Sequence, residues 1–310
     1  MRNEKNRGRT SQGQNGERMA KRAPASQFAR PVHEAPQPKP QRGRCGAERE
    51  RSCTAKLYIN TYNVRTMSHP DDLDRLLEQL QKTKFKWDII GLCETKRKGE
   101  GLTELKNGDW IFDAGKTEED METKGLAFLI KRSMKDYIES LEKHSDRVIS
   151  CKIKLQGESM QLIQVYAPTT DYDDQAVEKF YADIEQAIDK KTCKNTIILG
   201  DFNAKIGIKK HGEKSKWIGP HGIGERNDRG ERLLDFVTEN KLYITNSFFK
   251  KHPSRYWTWE AHEGKYKNQI DFILTSDNSI IKNTEIISNI DVGSAHRMVR
   301  GKIFINKKLM

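Results

Sequence analysis

Asp201 and Asn203 close the run Ile197-Ile198-Leu199-Gly200-Asp201-Phe202-Asn203, and no other pair of residues points so directly to chemistry. A β-branched apolar run of this length forms a buried strand, and residues two apart on an extended backbone project the same way. A carboxylate beside a carboxamide can hold an attacking water and a negatively charged phosphoryl oxygen together. That arrangement suits the cleavage of a phosphate ester.

Four more polar residues follow apolar runs in the same manner: Asn63, Glu94, Tyr166 and Asp271. Each alone is most simply a strand-terminating or solvated side chain. Together, as five strand ends, they can converge on one rim of a packed fold, where scaffolds carry function. Hydrolysis of a phosphodiester needs a divalent ion, a base for water and donors to the phosphoryl oxygens. Glu94 is the candidate ligand for a hard, oxygen-seeking ion, and Asp201 the base. Asn203, Asn63 and Tyr166 are neutral hydrogen-bonding groups. His296, in Gly293-Ser294-Ala295-His296, is the imidazole to bind phosphate, with Asp271 to orient it. His211, His221, His252 and His262 lack metal-ligand spacing and are expected to be solvated.

The elements that must position these groups are legible as periodicity. Strands are expected at Leu57 to Asn63, Asp88 to Glu94, Gly125 to Ile130, Arg147 to Leu155 and Met160 to Val165, the last two joined as a hairpin about Gln156-Gly157-Glu158. Further strands are expected at Tyr243 to Asn246, Tyr256 to Glu260, Gln269 to Thr275, Thr284 to Ile290 and Val299 to Ile305. Leu73, Leu76, Leu77 and Leu80 mark an amphipathic helix that starts at Ser68-His69-Pro70-Asp71 with capping-box spacing. Val177, Phe180, Tyr181, Ile184 and Ile188 mark a second, and Leu233, Leu234, Phe236 and Val237 a third. About ten strands with three interspersed helices and no fixed repeat indicate a single α+β layered domain.

Composition narrows the classes. The 35% hydrophobic content of 310 residues builds a core but leaves no segment apolar enough to span a bilayer. No apolar run follows the first basic residues, so neither secretion nor membrane association is expected. Five cysteines without a C-x-x-C pair fit reduced thiols. The net charge of +12 is uneven: residues 1–56 hold 14 Lys and Arg against 5 Asp and Glu, and the remainder 42 against 39. Residues 1–55 are expected to be a disordered basic tail, 56–306 the folded domain and 307–310 a C-terminal end. A basic loop, with Lys205, Lys209, Lys210, Lys214, Lys216 and Arg226 around Trp217, either grips phosphates or is simply solvated.

Six separated segments carry a resemblance: Asn63, Leu92-Cys93-Glu94-Thr95, Val165-Tyr166-Ala167-Pro168, Gly200-Asp201-Phe202-Asn203, Asn268-Gln269-Ile270-Asp271 and Gly293-Ser294-Ala295-His296. Their types and order resemble the endonuclease/exonuclease/phosphatase superfamily over residues 57–305. Gly219 to Gly230, followed by Glu231 to Phe236, and Trp257-Thr258-Trp259 are similar to the endonuclease domain of RTE-type non-LTR retrotransposons and the related craniofacial development protein 2 family. The resemblance implies a four-layer α/β/β/α sandwich of DNase I type and Mg²⁺-dependent nicking of DNA, with Mn²⁺ as a substitute ion. It places the family's metal glutamate on Glu94 and its first-strand asparagine, on the metal side, on Asn63. The catalytic set falls on Asp201, Asn203, Tyr166, Asp271 and His296, and Lys205, Arg226 and Trp259 are assigned to the substrate.

The family ends its last motif in Ser-Asp-His, and Ala295 stands here in place of that aspartate. Its loss removes a negative charge beside the cation, so weaker Mg²⁺ affinity and reduced cleavage are expected. The resemblance also implies a reverse transcriptase after the endonuclease, which the sequence to Met310 does not contain, so a domesticated or truncated element copy or a stand-alone nuclease is expected. The expected partner is DNA, with no membrane and no obligate protein partner, a monomeric state and a nuclear location that extends to the cytoplasm. The same superfamily includes lipid phosphatases, and a site decayed at Ala295 would leave a non-catalytic nucleic-acid-binding protein.

Overall fold

The computed structural model describes residues 54–115 and 125–306. The basic tail, Cys45 and Cys53 and residues 307–310 lie outside them, except that Thr54 and Ala55 already belong to the first strand. Two mixed sheets face each other. The first runs β14-β15-β1-β2-β5-β4-β3 and the second β10-β13-β9-β8-β7-β6. Their strands are β1 (Thr54–Asn63), β2 (Ile89–Cys93), β3 (Glu100–Glu104), β4 (Trp110–Ala114), β5 (Leu126–Ile130), β6 (Ile138–Ser145), β7 (Val148–Leu155), β8 (Glu158–Tyr166), β9 (Asn195–Asp201), β10 (Tyr243–Ile244), β13 (Asp271–Thr275), β14 (Ile281–Ile287) and β15 (Met298–Asn306). A short ribbon of β11 (Trp259–Glu260) and β12 (Lys267–Asn268) stands apart.

One apolar cluster, with Ile59, Ile89, Phe128, Leu162, Ile197 and Val299, fills the space between the sheets. A second lies outside the second sheet, beneath helices α2 (Asp174–Ala187) and α3 (Asp228–Glu239), and a third outside the first sheet beneath α1 (Pro70–Lys82). Helix, sheet, sheet, helix is the four-layer α/β/β/α sandwich expected. The leucines of α1 meet the core as their spacing requires. Its cap is His69 rather than Ser68: the His69 side chain accepts from the Asp71 N–H at 3.3 Å, and Asp72 accepts from the His69 N–H at 3.1 Å.

The topology decides where function can sit. β1 and β2 are parallel and joined through α1, and β8 and β9 are parallel and joined through α2. In both sheets, therefore, a parallel pair ends at the same rim, and the two rims face one another. Asn63 lies opposite Cys93 in one pair and Tyr166 opposite Asp201 in the other. Gly200 permits the second pairing: at φ +154° a Cβ there would lie 2.0 Å from the Val165 carbonyl oxygen. Asp271 reaches the rim differently from the sequence expectation. It opens β13 instead of closing it, and because β13 runs antiparallel to β9, Asp271 pairs with Asp201.

Several expected strands are shorter. Tyr243 to Asn246 stops at Ile244 and becomes a 3-10 turn, and Tyr256 to Glu260 contracts to Trp259–Glu260. The Asn246 side chain takes over the ladder, donating to the Asp271 carbonyl at 3.0 Å and accepting from the Ile273 N–H at 3.0 Å. Conversely β3, β4 and β6 go beyond the expectation. Among the described residues there are fifteen strands and three α-helices, and no helix is long and apolar enough to cross a membrane.

Candidate active site

Asn63 stands at the centre. Its side-chain nitrogen donates to Glu94 Oε1 at 2.8 Å and to Asp201 Oδ2 at 2.9 Å, while its Oδ1 accepts from the Arg65 N–H at 2.9 Å. The last bond fixes which way the amide points, because only the oxygen can accept. Asn63 thus presents nitrogen to both acids, and a donor nitrogen does not ligate a cation. The sequence placed Asn63 on the metal; the geometry makes it the spacer that holds Glu94 and Asp201 side by side.

Glu94 and Asn203 are held in left-handed backbone, at φ +55° and +47°. For a residue other than glycine this conformation costs energy, and it persists where surroundings impose it. At Asn203 the cause is visible. The Asp201 carboxylate accepts from the Asn203 N–H at 2.9 Å, closing a turn directly after the strand. The extended geometry that would align the two side chains ends at Asp201. The Asn203 amide donates instead to the Ala167 carbonyl at 2.9 Å, tying the loop after β9 to that after β8.

His296 completes the rim. Its Nδ1 lies 3.0 Å from Asp271 Oδ2 and its Nε2 3.8 Å from Asp201 Oδ2. The expected orientation by Asp271 is present. Burial alone would lower the imidazole's pKa, but the Asp271 charge and hydrogen bond, with Asp201 and Glu94 beyond, outweigh it and raise it to about 9. Burial, then the Asp271 charge, lift Asp201 in the opposite chemical sense, to about 7, against the pull of His296 and the Asn63 bond. A carboxylate with its pKa near neutrality beside an imidazolium is poised to take a proton. Tyr166 is pushed well up from its usual value by burial and then by Glu94 and Asp201, so the phenol keeps its hydrogen.

Asp201, Asp271 and His296 offer ligand atoms within 4.8 Å of one another, and with His296 charged the two carboxylates are the ones left for an ion. Glu94 is outside that trio and joins it through Asn63. The oxygen donors crowded here, with their charge only partly compensated, fit a hard divalent ion.

The substrate residues divide. Trp259 is half-buried and bridges to His296 at the edge of the site. Arg226 turns inward: 2% exposed, it is bound by both oxygens of Glu213 at 2.9 Å, by Glu231 at 3.2 Å and by the Ile206 carbonyl at 3.0 Å. It braces the loop, with four of its five N–H groups engaged within the protein. Lys210 pairs with Glu231 at 2.7 Å, and Trp217 packs edge-on against Tyr243 with centroids 4.9 Å apart, so neither is the free grip anticipated. Lys205 is half-buried on the segment following Asn203, its N–H held by Asn227 at 2.9 Å.

Three positioning residues escaped sequence reasoning. Thr258 is fully buried, and its hydroxyl accepts from the N–H groups of Ile270 at 3.0 Å and Asp271 at 3.1 Å, while its carbonyl accepts from the Arg297 N–H at 2.6 Å. It locks both halves of the Asp271–His296 pair. Ser294 donates to the Asn63 carbonyl at 2.6 Å and accepts from the His296 N–H at 3.1 Å. Arg147 lies over the Tyr166 ring at 5.5 Å and donates to the Tyr166 carbonyl at 3.2 Å. Thr258 lies between the two tryptophans and Ser294 within the last motif, so position was the available signal for both; Arg147 had none.

Residues 160–300 match the model of a family described as endonuclease-reverse transcriptase. The chain is 30% identical to craniofacial development protein 2 of Bos taurus over 264 residues, which cover 84% of this chain and 43% of that protein. These matches, with the six motif segments, support a place in the endonuclease/exonuclease/phosphatase superfamily. It spans under half the length of the curated relatives it matches. Among solved structures, the endonuclease domain of TRAS1, a telomere-specific non-LTR retrotransposon, superposes with a TM-score of 0.53 at 15% identity, covering 82% of this chain and all of that one. The catalytic domain of Xenopus laevis APE2 does so with a TM-score of 0.56 at 16% identity, covering 81% of this chain and 93% of that one. At these identities the likeness establishes the fold, a DNase I-like sandwich, and the superfamily supports a nuclease-type phosphodiesterase.

Proposed function

We propose that the protein is a Mg²⁺-dependent endonuclease that nicks DNA by hydrolysing one phosphodiester bond, and that it derives from a retrotransposon. The observation that carries this is the Asp201 carboxylate, held between the Asn63 amide at 2.9 Å and the His296 imidazole, which Asp271 fixes at 3.0 Å. Asp201 accepts a proton from water as the water oxygen bonds to phosphorus and the opposite P–O bond breaks. His296, charged up to about pH 9, directs its Nε2 hydrogen toward a phosphoryl oxygen. Tyr166 remains protonated and donates a second hydrogen bond. Glu94, with Asp201 beside it, would hold Mg²⁺ or Mn²⁺, whose charge neutralises the phosphoryl group and the leaving oxygen. Ala295, whose carbonyl accepts from the Glu260 N–H at 3.1 Å, brings a methyl where the family has a carboxylate, and so fewer charges to hold that ion. A monomer acting on nuclear DNA is part of the same proposal.

Supercoiled plasmid incubated with the protein and Mg²⁺ is expected to relax to the nicked circle, and EDTA to prevent it. Inositol-lipid or sphingomyelin headgroups incubated in parallel are expected to stay intact. Release of lipid phosphate without nicking would move the site to a lipid substrate, and DNA retention with neither activity would identify a binding remnant.

A further inference from the structure

A second set of cations lies next to His296, and among the described residues no acid pairs with them as Glu213 and Glu231 pair with Arg226 and Lys210 in the basic loop. Arg297 follows the imidazole directly. Its guanidinium lies over the Trp257 ring, 3.1 Å from the centroid, and donates to the Ser254 carbonyl at 3.0 Å. Ser254 belongs to the 3-10 turn Pro253–Arg255, and Lys251 stands just before that turn. Burial lowers the pKa of Arg297; Glu260 opposes this, and Arg255 adds to it. Lys251 is lowered in the same order, by burial, against Glu285, and with Arg255. Exposed Arg255 therefore lies within electrostatic reach of both. Of the acids nearby, Glu260 pairs with Lys267 at 2.9 Å and Glu285 with Arg300 at 2.6 Å, while Asp291, at the rim of the adjoining groove, accepts from the Gly293 N–H at 2.8 Å.

An open groove of about 530 Å³, lined by Arg65, Trp257, Ala295, His296 and Arg297, joins this cluster to the site. Arg65 is exposed at its far side, and its backbone is pinned to Asn63 in a left-handed turn at φ +61°. Like charges held close together cost energy in the free protein, and a polyanion laid across them relieves that cost and releases counterions. Arginine, with its planar fork, suits phosphate oxygens.

We propose that the face formed by Arg65, Arg297, Arg255 and Lys251 is the track on which the phosphate backbone of the DNA lies, delivering the strand to His296. This rests on the nuclease reading and replaces the loop of Lys209 to Arg226 as the phosphate grip. Fluorescence anisotropy with a labelled duplex in EDTA, at a series of salt concentrations, tests it. Lys251→Gln with Arg255→Gln is expected to lower the slope of log Kd on log salt by about 2, one for each cation removed. Lys214→Gln with Lys216→Gln is expected to leave the slope as in the wild type. Arg255→Gln alone, at an exposed position, is expected to lower it by about 1 and guards against misfolding of the double variant. Unchanged slopes in the first pair, with nicking intact in the wild type, would overturn the track and leave the nuclease standing. The expected slopes without any nicking in Mg²⁺ would support the track and overturn the nuclease. A wild type that neither binds nor cuts DNA would overturn both.

Discussion

The rim of strand ends and the basic loop beyond it are both rich in polar residues and treat charge in opposite ways. In the loop, Arg226 meets Glu213 and Glu231, Lys210 meets Glu231, and Lys209 donates to the carbonyls of Ser215 and Ile218. At the rim, Asp201 and Asp271 are buried together with one imidazole between them, and Glu94 and Asn203 hold strained backbone. A satisfied charge network stabilises a conformation. An unsatisfied one stores a preference for a proton, an ion or a substrate. The difference separates a structural brace from a site although both look polar in sequence.

The sharpest way to break this comparison is to neutralise the rim. Asp201→Asn is expected to cut the nicking rate by on the order of 10² to 10⁴-fold. Its melting temperature at pH 8 should not fall, because the substitution removes repulsion between two buried carboxylates. A large loss of stability would mean that Asp201 is a structural acid. The converse holds for the loop: Arg226→Ala is expected to cost about 3 kcal/mol in denaturant melts, since it strands Glu213, and to leave DNA affinity per folded molecule unchanged.

Two smaller effects refine the rim itself. Ala295→Asp is expected to lower the Mg²⁺ concentration for half-maximal rate by about tenfold, as restoring a carboxylate near a cation should; an unchanged Mg²⁺ dependence would remove Ala295 from the metal's surroundings. The proton held by His296 should show in stability. Its folded pKa of about 9 exceeds the free value, so the folded chain binds more protons in the interval above neutrality. Asp201, also raised, acts with the same sign between its free value and about 7. In metal-free thermal melts the His296 contribution should therefore be lost as pH rises from about 6.5 to about 9, so the drop over that interval should be larger in the wild type than in His296→Gln. An equal drop in the two proteins in EDTA would contradict the His296 shift.

Much of the fold is legible in sequence where burial is one-sided or complete. The leucines of α1 and the unbroken apolar runs of β2 and β9 leave little choice of element. The strands that escape are marked by charge: β3 and β6 are sheet edges, where glutamate and lysine are tolerated because one side meets water, and β4 carries an aspartate paired with Arg97. Asp201, Glu94 and Tyr166 are legible because each follows an apolar strand run that brings it to a common rim, and Asp271 and His296 through their motifs, Asn268-Gln269-Ile270-Asp271 and Gly293-Ser294-Ala295-His296. Whether Asn63 turns oxygen or nitrogen to that rim depends on Asp201, 138 residues away, and on the Arg65 backbone N–H, and whether Arg226 points in or out depends on Glu213, 13 residues away and beyond one helical or strand repeat. Local pattern carries no trace of either.

The central claim is that Asp201 drives phosphodiester cleavage at this rim. Single-turnover cleavage of an end-labelled duplex, comparing the wild type with Asp201→Asn at saturating Mg²⁺, tests it most directly. The account predicts a wild-type rate abolished by EDTA, and a variant that binds the duplex as tightly yet cuts it at least about 10²-fold more slowly. Cleavage by Asp201→Asn at the wild-type rate would contradict it.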